Sequence, residues 1–125
     1  GESHQSHREL AQLYYRMRDY EKAVKSYETV IGNLERELER RGVNRLDPEA
    51  VLAWRKTLAL EYYNAACSSS LAKEIEKAKG YMRKAIAIDS SHFVNMEKDG
   101  DLANLRKDPS YAAFRKEVGD LKDEL

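Results

Sequence analysis

Apolar residues recur at three- and four-residue spacings along most of the chain, the period of amphipathic helices. Over 6–17, Leu10, Leu13, Tyr14 and Met17 form one inward stripe. Asp19 is placed to cap a second helix over 20–41, with Ala23, Tyr27, Val30, Ile31, Leu34 and Leu38 apolar and Gly42 as the stop. Asp47 and Pro48 open a third helix over 48–71. Its inward residues are Val51, Trp54, Leu58, Tyr62, Ala65 and Ala66, with the Arg55 stem as a cover. A fourth, 74–88, turns Ile75, Ala78, Met82, Ala85 and Ile86 inward. Gly80 inside it costs about 1 kcal/mol against Ala; close approach of a neighbouring backbone is the reason that would keep it there. Asp108-Pro109 opens a last helix over 109–122, with Tyr111, Phe114, Val118 and Leu121 apolar. The polar segment 89–108 is expected to hold one helical turn around Leu102 and Leu105. No run alternates with period two long enough for a strand, so the pattern predicts an all-α fold.

Composition narrows the function classes. With 42% hydrophobic and 35% charged residues in 125, the chain suits one helical domain over 5–125 and argues against disorder. Residues 1–4 read as a tag remnant or disordered tail. Twenty-two basic residues balance 22 acidic ones, without the basic stripe of a nucleic-acid binder, so no nucleic-acid partner is expected. No apolar run approaches the roughly 18 residues that span a membrane, so no membrane insertion is expected. A single cysteine forms no internal disulfide and leaves the compartment open, with the cytoplasm slightly favoured.

That cysteine, Cys67, lies in "YYNAACSSS", and a reactive thiol would need a base and an electropositive setting. The histidines are His4, His7 and His92, and none has metal-ligand or catalytic spacing to Cys67. The three serines read as hydroxyls satisfying the backbone of a helix end. The expectation is no catalytic residue, no metal and no cofactor.

Two "EKA" triplets, at 21–23 and 76–78, open the same pattern. Ala23, Tyr27 and Val30 have the spacing of Ala78, Met82 and Ala85, and each set follows a tyrosine-bearing helix. His7, Leu10, Ala11 and Tyr14 correspond to Tyr62, Ala65, Ala66 and Ser69. On these residues the chain resembles the tetratricopeptide repeat, a helix-turn-helix unit of about 34 residues. His7, Ser69 and Val30 depart from the family's usual large, aromatic and alanine residues. The small residues are expected where paired helices approach to roughly 8 Å. Asp101-Leu102, Leu105-Arg106 and Asp108-Pro109 are similar to the segment that follows the final repeat in many bacterial members. The resemblance implies the C-terminal end of a repeat array: an α-solenoid of two such units, closed by a C-terminal capping helix. Ala23 and Ala78 lie 55 residues apart, about 21 more than one repeat. The extra residues are read as extending the second and third helices by roughly ten residues, or 15 Å, each. This makes an elongated central hairpin with its tip near 42–47.

In such arrays the first helix of each unit lines a concave face where peptides dock. After the packing residues are assigned, that face presents Arg8, Gln12, Tyr15 and Arg16, and Leu60, Tyr63, Asn64, Cys67 and Leu71. The resemblance implies that Asn64 bonds a bound peptide's backbone or terminal carboxylate, with Arg8 and Gln12 replacing the family's Lys and second Asn; a structural amide is the other reading of Asn64. The expected function is a non-enzymatic interaction module for a protein or peptide partner. The alternatives are self-association through the hairpin or an uncapped first helix, giving a homo-oligomer, and a regulatory tail of a larger enzyme.

Overall fold

A computed structural model describes residues 2–42 and 47–124, with side chains from residue 5. Residues 43–46 of the hairpin tip expected near 42–47, and the side chain of His4, lie outside the described residues. Among them there are seven α-helices and no strand: α1 (Glu2–Arg16), α2 (Tyr20–Arg41), α3 (Pro48–Leu71), α4 (Ile75–Ile88), α5 (His92–Lys98), α6 (Ala103–Lys107) and α7 (Tyr111–Glu124). A 3₁₀ turn, Gly100–Leu102, precedes α6. The segment 89–108 thus carries more helix than the single turn expected, and α1 begins at Glu2, ahead of the residue-6 start read from the pattern.

The caps follow from the sequence. The Asp19 carboxylate accepts from Lys22 N at 3.4 Å, and that of Asp47 from Ala50 N at 2.9 Å, satisfying helix-start amides. Gly42 takes a φ of 75°, and its N–H closes α2 onto Leu38 O at 3.1 Å.

The two repeat units share one turn geometry. Arg18 and Lys73, 55 residues apart, adopt left-handed φ values of 62° and 63°. Around them the same bonds recur: Asp19 N to Tyr14 O at 2.9 Å and Glu74 N to Ser69 O at 2.8 Å. Ala23 N to Asp19 O and Ala78 N to Glu74 O are both 3.0 Å.

Helices α1 and α2 pair, α2 packs on α3, and α3 on α4. Ala11, Ala23, Ala66 and Ala78 are fully buried in these pairs, where a larger residue would push the helices apart. The core runs from Val30 and Tyr62 to Met82, Ile86, Leu102, Leu105, Phe114 and Val118. The hairpin is elongated: α2 has 22 residues and α3 24, against 14 in α4. Trp54 Nε1 donates to Leu34 O across it at 3.3 Å, and Tyr62 Oη to Glu35 at 3.1 Å. Helix α7 closes the C-terminal side against α4, with Arg83 bonded to Glu117.

Three packing expectations need correction. Leu10, Leu13 and Met17 are 38%, 44% and 63% exposed, because no element of the described chain covers that face of α1. Arg55 is exposed rather than a cover. A Cβ on Gly80 would meet nothing within 4 Å, so no neighbouring backbone approaches there.

Candidate functional site

The cleft between the two repeat units is built by a chain of local bonds that begins far along the sequence. Leu102 and Leu105 bury completely, pulling the segment after α5 onto α3. Ser70 Oγ, fully buried, accepts the Leu105 N–H at 3.1 Å, and Ser70 O accepts Asn104 Nδ2 at 3.0 Å. Arg106 clasps the turn from the other side, donating to Met96 O at 2.9 Å and Asp99 O at 2.6 Å. Ser70 therefore docks the C-terminal segment, whereas the expected capping of the helix end by the three hydroxyls is not seen: Ser68 and Ser69 Oγ have no hydrogen-bond partner among the described residues, and Ser70 Oγ is taken by Leu105. Asp99 caps the 3₁₀ turn through Asp101 N at 3.0 Å, so both side chains project from one short, fixed stretch.

They project toward α1 and α3. Tyr63 Oη donates to Asp99 Oδ2 at 2.7 Å, and Cys67 Sγ lies 3.8 Å from the same oxygen. Tyr15 Oη donates to Asp101 Oδ2. The ring of Tyr63 stacks on His92 with centroids 4.8 Å apart. The resulting cleft of about 450 Å³ is lined by Gln12, Tyr15 and Arg16 from α1, Tyr27 from α2, Tyr63, Asn64, Cys67 and Ser68 from α3, and the two aspartates.

Of the residues selected from sequence, Gln12, Tyr15, Arg16, Tyr63, Asn64 and Cys67 meet here. Arg8 does not. Its Nε lies 3.4 Å from Glu61 Oε2, a carboxylate buried inside the core. Asn64 Nδ2 donates to Glu61 Oε1 at 2.9 Å, which ties its amide to the fold. Leu60 and Leu71 are not among the lining residues. Tyr63 and Cys67 are buried to 8% and 5% exposure, edges of the cleft floor rather than open-face side chains.

The sequence reading missed Tyr27, Ser68, Asp99 and Asp101. Asp101 was noted for the tail motif, but a carboxylate that reaches Tyr15 across 86 residues leaves no local trace.

The electrostatics keep the protons on. Burial pushes the Cys67 thiol well above its usual range, and the Asp99 and Asp101 carboxylates push it further. Tyr63 and Tyr15 are raised by burial, then by their hydrogen bonds to the aspartates. Tyr27 rises to about 12, through burial and then Glu61. Cys67 is thus held as a thiol, the opposite of an activated nucleophile. Cys67, Asp99 and Asp101 do bring one donor atom each within 4.8 Å of one another. A metal there would have to displace that thiol proton.

A scaffold of stacked helix pairs with an open cleft between them defines a helical-repeat module. A family model described as Tetratricopeptide repeat matches the chain twice, over residues 5–33 and 62–92, and the chain belongs to that family. No curated protein and no solved structure matches it in the corresponding comparisons. Repeats of this family generally mediate protein–protein interactions and are typically non-enzymatic. Among the described residues no helix is long and apolar enough to cross a membrane.

Proposed function

We propose that the cleft between α1 and α3 docks an extended segment of a partner protein. The observation that carries this reading is the convergence of Gln12, Arg16 and Asn64 with three tyrosines around one 450 Å³ cleft. Polar groups there can orient a peptide backbone, and the rings can take side chains. Two repeats make a short groove, consistent with modest affinity.

Capture of a terminal carboxylate fits less well. Arg8 is already paired with Glu61, and two carboxylates line the cleft. A photo-crosslinking residue at the exposed position of Arg16 is expected to trap members of a capped octapeptide library. The same residue at Lys56, beside a separate surface groove formed with Leu52 and Ile88, is expected to trap none. The reverse pattern would move the site to the hairpin.

A second reading, self-association, is favoured by the bare α1 face. Ala65 and Ser68, the α3 counterparts of Leu10 and Leu13, are fully buried. The counterpart face on α1 could pair with a second copy. Light scattering at high concentration is expected to give a monomer of 14.4 kDa if cleft docking is the main function. A dimer that Leu13→Glu dissolves would favour self-association.

A further inference from the structure

The cleft floor is acidic, and its charge is not answered from within. Asp99 and Asp101 accept from Tyr63, Cys67, Tyr15 and the Asp101 amide, and among the described residues neither carboxylate is ion-paired. Arg106 binds the Asp99 carbonyl, not its carboxylate. Arg16 is the cationic side chain among the lining residues, so two carboxylates face one guanidinium.

A separate observation points the same way. Ser68 is fully buried in the cleft wall, and its Oγ has no hydrogen-bond partner among the described residues. Leaving a buried hydroxyl unsatisfied costs about 1–3 kcal/mol. Ser69 Oγ is unpartnered too, but Ser68 is the one of the two that lines the cleft, where a polar group could reach it.

We propose that the cleft selects a lysine or arginine side chain of the docked segment, with its charged end between Asp99 and Asp101 and within reach of Ser68. This rests on the docking reading above and supplies its chemistry. A lysine ammonium carries three donors and no acceptor, a guanidinium five. The two carboxylates and the Ser68 hydroxyl are acceptors suited to either. The charge-assisted bonds are roughly twice as strong as neutral ones. The aliphatic stem would lie along the rings of Tyr15 and Tyr63, where a cation also gains from the ring faces. A glutamate in the same place would meet two like charges.

The test uses the full chain and four pools of N-acetylated, C-amidated octapeptides with a fixed central Lys, Arg, norleucine or Glu, read by fluorescence polarisation. The Lys or Arg pool is expected to bind at least ten-fold more tightly than the norleucine and Glu pools. Asp101→Asn, which keeps an acceptor for Tyr15 while removing the charge, is expected to erase that preference. The comparison of pools on the unaltered chain stands whether or not the variant folds. Four pools binding alike, while still crosslinking at position 16, would overturn the basic-residue selection and leave the docking reading intact. No pool crosslinking at position 16 would overturn both. Zn²⁺ alone displacing the Lys pool at micromolar concentration would reassign Cys67, Asp99 and Asp101 to a metal and overturn the proposal.

Discussion

Single residues carry the strongest commitments of this chain. His92 is buried against Tyr63, and burial lowers its pKa below the ordinary imidazole range, Asp89 opposing. Folding therefore favours the neutral ring. As pH falls from about 7, the unfolded chain takes up a proton that the folded chain resists, and stability drops through the lowered pKa. His92→Gln is expected to flatten the urea-midpoint profile between about pH 7 and 5; a profile as steep as that of the unaltered protein would remove His92 from the account. None of this was legible beforehand. Sequence reading singled out Cys67 from its setting among small residues, but the thiol's environment is made by Asp99 and Asp101, more than 30 positions away. Local spacing cannot report a contact made by a later segment folding back.

Elements were more readable, because caps and stripes are local. Asp19, Gly42, Asp47 and Pro48 mark the ends of α2 and α3 by chemistry that acts within one turn. Where the stripes misled, the reason is that periodicity tells which face is apolar and not what covers it. Leu10, Leu13 and Met17 form a regular stripe that nothing in the described chain covers. In α3 the reverse holds: Ser68, Ser69 and Ser70 read as polar, yet all three are fully buried because α3 is packed between α2, α4 and the C-terminal segment. Gly80 tests the element scale. It sits inside α4 with open space where a Cβ would go. Gly80→Ala is expected to stabilise the protein by about 0.5–1 kcal/mol in denaturant unfolding, through helix propensity alone. A loss of stability would show that the glycine is required for packing after all.

At the scale of the molecule, the repeat pattern was legible because it is written twice. Two turns 55 residues apart share their hydrogen bonds and their left-handed residues, Arg18 and Lys73. The added length between the units, read as helix extension, appears as the long α2–α3 hairpin. The cleft was only half legible. The α1 and α3 contributions follow from helical spacing, whereas its acidic floor arrives with the segment after α5, held by Ser70 and Arg106. The capping segment thus both closes the core and supplies charge to the cleft. The most direct test is a ¹H–¹⁵N correlation spectrum of the full chain titrated with the Lys-centred octapeptide pool. The largest shifts are expected at Gln12, Arg16, Asn64, Ser68 and Asp101. Shifts confined to Leu52, Arg55 and Ile88, or to the Leu10–Met17 face, would contradict docking in the cleft.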